Sequence, residues 1–174
     1  MGLDRARASI PFINLAMIRR LLQLQTLALA IGTGFAFYTV VVDFIRFYGF
    51  EGTVFKVQDC VVPNPVTTPC FWGAFAFLVA LVWSSRLLRQ VQLVRGQRRL
   101  SWLLVASTIF AWGNFSRVAY DFYRAGTGST TGCSGVLTTN PFTTPCFIGS
   151  VIFLVALTIA LFLNRQLRHA PSPV

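Results

Sequence analysis

Charge is scarce in this sequence. Only 11% of its 174 residues are Asp, Glu, Lys or Arg, against about 25% in a soluble domain, while 55% are hydrophobic and 14% aromatic. That balance excludes a single water-soluble domain and puts the chain in a bilayer. Histidine is nearly missing: His169, in a C-terminal tail, is the single one. A zinc site would therefore have to be made from widely spaced cysteines alone, so no metal site is expected. There is no phosphate-binding loop, no Ser/His/Asp set and no carboxylate cluster, which leaves hydrolases and nucleotide enzymes without their chemistry. No apolar run alternates with polar residues, which argues against a membrane barrel. The N-terminus lacks the small-residue cleavage pattern of a signal peptide, and its first apolar run is long for one, so that run is expected to stay as an anchor.

Four apolar segments are long enough to cross a bilayer, Leu21–Val42, Phe71–Leu88, Leu100–Tyr120 and Phe147–Leu163, against a requirement of about 17 to 25 residues. The net charge is +10, and its arrangement speaks for topology. Arg5, Arg7, Arg19 and Arg20 precede the first segment. Arg86, Arg89, Arg95, Arg98 and Arg99 lie between the second and third, and Arg165 and Arg168 follow the fourth. By the positive-inside rule these three groups and both termini are cytoplasmic, as in a cell (inner) membrane protein. Asp43, Glu51, Asp59 and Asp121, four of the five acids, fall on the outer side. No basic patch interleaved with stacking aromatics is visible, so nucleic acid is not expected as a partner. The bilayer is, with diffuse attraction of the inner loops to anionic headgroups. The first 20 residues suit either a short basic amphipathic helix on the inner surface or an irregular basic lead-in.

The chain also repeats itself. Asn64-Pro65-Val66-Thr67-Thr68-Pro69-Cys70-Phe71-Trp72-Gly73 returns as Asn140-Pro141-Phe142-Thr143-Thr144-Pro145-Cys146-Phe147-Ile148-Gly149, and Phe77-Leu78-Val79-Ala80-Leu81 returns as Phe153-Leu154-Val155-Ala156-Leu157. The ends of the first and third segments share Asp-Phe-x-Arg, at Asp43 to Arg46 and Asp121 to Arg124. The expected fold is an all-α membrane protein of four transmembrane helices, arranged as two tandem parallel helical-hairpin repeats. The divisions are 1–20, a basic N-terminal segment; 21–95 and 96–168, the two repeats; and 169–174, a tail. At three-residue spacing each Asp and Arg can pair on one helix face, with Phe47, Tyr48, Phe50, Tyr120 and Tyr123 as an aromatic belt. Small residues four apart (Ala28/Gly32, Ala30/Gly34, Ala76/Ala80, Ser107/Ala111, Ala156/Ala160) predict close helix packing, within the chain or with a membrane protein partner or second copy.

Each repeated motif sets a helix start. Pro disfavours helix for the residue before it and suits the first helical position, so Thr68 and Thr144 are candidate N-caps, with Pro69 and Pro145 first in the helix and Cys70 and Cys146 second. A cysteine there stands at the positive end of the helix dipole, which favours the thiolate. Cys60 and Cys133 complete the set, and all four cysteines lie in the outer regions. The simplest pairing in an oxidising compartment is Cys60–Cys70 and Cys133–Cys146, one staple per outer loop, each stabilising by about 2 to 4 kcal/mol.

The leading functional expectation is a structural or accessory subunit of a membrane assembly, with a small transporter a more distant one. The other reading is redox. Four spans, inner termini and two outward cysteine pairs resemble in outline the bacterial quinone-linked enzymes that generate disulfides and, more loosely, the vitamin K epoxide reductases. The resemblance implies a thiol:disulfide oxidoreductase with a quinone-like acceptor. The chain departs from those families in having no Cys-x-x-Cys. On that reading Cys70 and Cys146 attack, and Cys60 and Cys133 resolve. A second candidate site is Arg117, in the hydrocarbon part of the third segment, with Asn114 and Asp121 about one turn to either side. Ionisable groups at that depth are costly and often functional, here toward an anionic or quinone-like ligand, the alternative being that Arg117 snorkels outward to Asp121.

Overall fold

The structure is a computed structural model that describes residues 4–56, 62–89, 93–126 and 128–169. Among these residues there are four α-helices: α1 (Asp4–Glu51), α2 (Pro69–Leu87), α3 (Leu93–Ala125) and α4 (Pro145–His169). A two-residue hairpin, β1 (Thr130–Thr131) against β2 (Leu137–Thr138), lies between α3 and α4. Three helical stretches are long and apolar enough to cross a membrane: Ala16–Glu51, Pro69–Leu87 and Pro145–Arg168. The chain is thus an all-helical integral membrane protein. α3 is less apolar, because Ser101, Ser107, Thr108, Asn114, Ser116 and Arg117 interrupt it.

α1 runs without a break for 48 residues, so the separate surface helix or irregular lead-in expected in the first 20 residues is instead a helix continuous with the first apolar segment. The stretch that joins them, Met17-Ile18-Arg19-Arg20-Leu21-Leu22, has neither Gly nor Pro to stop a helix, and Arg, Leu and Met are good helix formers.

Each of α1 and α3 packs against both α2 and α4. The core is built from Leu22, Leu29, Phe77, Ala80, Leu100, Leu104, Phe153, Ala156, Ala160 and Leu163. Ala80, Ala156 and Ala160 are fully buried, as close approach of membrane helices requires. Gly32 is a point of close approach within the core: a Cβ there would come within 2.5 Å of the Phe77 ring and 2.9 Å of Ile152. The Ala30/Gly34 pair behaves differently and lies on the exposed face of α1. Phe47 also departs from its expected place in the aromatic belt, being fully buried, while Tyr48, Phe50, Tyr120 and Tyr123 are exposed.

Toward the arginine-bearing end of the bundle, polar side chains link helix to helix. Thr26 meets Ser84 at 2.8 Å (α1 to α2), Gln97 Nε2 donates to Gln25 Oε1 at 2.9 Å (α3 to α1), and Asn164 Nδ2 donates to Ser101 Oγ at 2.7 Å (α4 to α3). Gln25 and Gln97 are both fully buried. Side-chain hydrogen bonds of this kind fix which helix faces meet where apolar packing alone discriminates weakly.

Candidate functional site

The repeated motif folds alike in its two copies. Asn64 and Asn140 each accept, at the side-chain oxygen, a hydrogen bond from the backbone N–H two residues on, 3.1 Å to Val66 and 2.9 Å to Phe142. This caps a 3₁₀ turn that begins at the proline, Pro65–Thr67 or Pro141–Thr143. Thr68 and Thr144 precede the helix in extended conformation, as an N-cap should, but their side chains turn the other way. Each hydroxyl donates to the carbonyl of the first proline, at 2.7 Å for Thr68 and 2.6 Å for Thr144. The threonine therefore closes the turn behind it instead of capping the helix ahead. Pro69 and Pro145 then open α2 and α4.

This construction sets Cys70 and Cys146 in the first turns of two helices that meet at one end of the bundle. Cys133 comes to them from the α3–α4 loop. Cys133 and Cys146 form a disulfide with Cα atoms 6.3 Å apart, and the sulfur of Cys70 lies 3.2 Å from that of Cys133. All three sulfurs lie within 4.8 Å of one another. Two of them are bonded together, so the arrangement as it stands offers a metal ion a single thiol. Cys60, the expected partner of Cys70, lies outside the described residues.

Two contacts hold Cys133 in place. Arg46 donates to Asp43 Oδ1 at 2.8 Å and to the backbone carbonyl of Ser134 at 2.9 Å. The ion pair read in the sequence as an anchor of α1 thus reaches across to the residue beside Cys133. Asp43 is buried. On the other side, Gly135 has φ +75°, a left-handed conformation that glycine adopts without strain. The space a Cβ would need there is filled by Pro63 of the first loop. The two loops are therefore interlocked beside the sulfurs. The second Asp-Phe-x-Arg does not repeat this arrangement: Asp121 is exposed, and Arg124 lies over the Tyr120 ring at 5.9 Å.

Beneath the sulfurs is a cavity of about 50 Å³. Matching positions of the two motifs line it: Cys70 and Cys146, Gly73 and Gly149, Phe77 and Phe153. Thr39 and Asn114 also reach it, but each side chain donates to its own helix, Thr39 to Ala36 at 2.7 Å and Asn114 to Phe110 at 2.8 Å. The space suits a few waters and is too small for a quinone ring. Of the second candidate set, Asn114 alone faces this cavity. Arg117 and Asp121 are exposed, and no ion pair joins them among the described residues.

Sequence reasoning missed the reach of Arg46 to Ser134 and the convergence of Cys70 on Cys133. Arg46 and Ser134 are 88 positions apart, and no local pattern signals such a contact. The architecture and the sulfur cluster define a helical membrane protein with a disulfide at one end of its bundle. No family model matches the chain, and no curated protein or solved structure does.

Proposed function

We propose that the chain is a four-span membrane protein of two parallel hairpin repeats, and that its cysteine end carries out thiol–disulfide exchange, as a membrane thiol:disulfide oxidoreductase. The fourth crossing is supported by connectivity. α2 and α4 both begin at the sulfur cluster and run away from it, so α3, with 33 residues or about 50 Å of helix, has to return the chain across the same thickness. The arginine distribution favours the cysteine end as the outer, oxidising side.

The observation that carries the redox reading is the 3.2 Å approach of Cys70 Sγ to Cys133 Sγ. In the exchange, Cys70 gives up its proton and attacks Cys133, the Cys133–Cys146 bond breaks, a Cys70–Cys133 bond forms, and Cys146 leaves as a thiolate that takes up the proton. No net electrons are transferred in this step. The leaving sulfur sits in the first turn of α4, where the helix dipole favours the anion. Net oxidation of a substrate dithiol then requires a two-electron, two-proton acceptor of the quinone class. Such a group would approach the sulfurs from the lipid-facing side, since the cavity below them is too small.

The second reading, a rigid accessory subunit whose outer loops are stapled, is favoured by the interlock of Pro63 with Gly135 and of Arg46 with Ser134. One experiment separates the two: cysteine connectivity mapped by differential alkylation and mass spectrometry across a glutathione series, on the membrane-embedded wild type and on Cys146→Ser. Exchange predicts a Cys70–Cys133 bridge in Cys146→Ser and a wild-type bridge that opens well above about −300 mV. A Cys60–Cys70 bridge in both proteins, with both bridges still oxidised below that potential, would sink the exchange reading and leave the staple.

A further inference from the structure

A groove of about 640 Å³ opens on the side of the bundle where α2 ends and α3 begins. Its mouth carries three arginines: Arg86 in the last turn of α2, and Arg95 and Arg99 on α3. Arg95 and Arg99 are four apart and so share a helix face. Its floor is apolar, with Leu78, Val79 and Val82 extending about 12 Å along α2 from Arg86 at 1.5 Å per residue. Trp83 lines the junction between the two parts.

These charges have no ion-pair partner among the described residues. Among the described residues the acids Asp43, Glu51 and Asp121 belong to the cysteine end. Gly96 keeps the charged turns together: a Cβ there would run into Leu87, which is buried at the end of α2. α2 is one of the helices apolar enough to cross a membrane, so its last turn lies at headgroup depth. An arginine fork there matches the oxygens of a phosphate, and a tryptophan suits the same depth.

We propose that this groove binds an anionic phospholipid, with its phosphate between Arg86, Arg95 and Arg99 and an acyl chain along Leu78, Val79 and Val82. The same end of α1 offers a useful contrast, where a groove of about 260 Å³ is lined by Arg20, Gln23, Leu24 and Leu27. With one arginine it has a single charge to offer, so the α2–α3 seam is the site.

The test is native mass spectrometry of the full-length protein titrated with phosphatidylglycerol, with phosphatidylcholine, and with inorganic phosphate. The wild type is compared with Arg86→Gln/Arg95→Gln/Arg99→Gln and with Arg19→Gln/Arg165→Gln/Arg168→Gln, which loses the same charge elsewhere. The expected result is one retained phosphatidylglycerol, bound at least tenfold more weakly by the groove triple and within twofold of wild type by the comparator. Phosphatidylcholine is expected not to be retained. Should the groove triple not fold, single Arg99→Gln is expected to lose severalfold, with single Arg19→Gln unchanged. Equal loss in both triples, or in both single variants, would overturn the proposal in favour of diffuse surface attraction. Displacement of phosphatidylglycerol by millimolar inorganic phosphate would overturn it in favour of a free-anion site.

Discussion

Phe77 and Phe153 stack ring on ring at the centre of the bundle, with centroids 3.7 Å apart and planes 9° from parallel. They occupy the same place in the two copies of the sequence motif, 76 positions apart, and both are buried. Phe77→Ala is expected to cost about 3 kcal/mol, the low end for such truncations, because apolar transfer contributes little where the alternative environment is lipid. Phe153→Ala should cost about the same, and the double variant less than the sum by about 0.5 to 1.5 kcal/mol. Reversible unfolding in mixed detergent micelles reads both quantities.

Gly32 stands against the edge of that stack. The Phe77 ring has little freedom to give, since Phe153 covers its face. Gly32→Ala should therefore destabilise by about 1 to 3 kcal/mol, although alanine is the better helix former. Gly34→Ala, with nothing within 4 Å of its added methyl, should be neutral or slightly stabilising. A thermal-shift comparison of the two variants checks the sign.

Arg46 joins buried Asp43 to the Ser134 carbonyl. Arg46→Gln is expected to cost about 1.5 to 3 kcal/mol, the range for hydrogen bonds to charged groups, and to free the loop that holds Cys133. Hydrogen exchange at residues 132–136 should quicken in the variant, while that of α4 stays unchanged. Arg124→Gln, whose partner is the exposed Tyr120 ring, should leave both unaltered.

The buried Gln25–Gln97 pair leaves Gln25 Nε2 and Gln97 Oε1 without partners among the described residues. Single replacement of either by Leu removes a bond and strands the remaining amide, so each should destabilise. The double replacement strands nothing and should recover most of the loss, since an apolar pair can be nearly neutral. A double-mutant cycle is expected to give a coupling of about 0.6 kcal/mol, the average for hydrogen bonds between membrane helices.

Much of this structure is written in local sequence. The helix starts at Pro69 and Pro145 follow from the proline's fixed φ and missing N–H, and the apolar runs are plain from composition. The choice the threonines make is not local to read. Thr68 has a carbonyl behind it and free N–H groups ahead, and the 3₁₀ turn at Pro65–Thr67 puts the carbonyl within 2.7 Å. Asp-Phe-x-Arg shows the same limit: its two copies look alike, yet Asp43 is buried and Asp121 exposed, because the α3–α4 loop carrying Ser134 packs over the end of α1.

What the sequence determined by itself is therefore the solvent, the apolar helices and the points where α2 and α4 begin, since apolar length and proline act through the nearest few residues. Tertiary structure decided which side chains meet. Phe77 reached Phe153, Arg46 reached Ser134, and the sulfur of Cys70 came to rest beside Cys133, 63 positions away. Contacts at that separation are set by how four helices pack along their whole length, and each helix is free, until packed, to turn any face toward its neighbours.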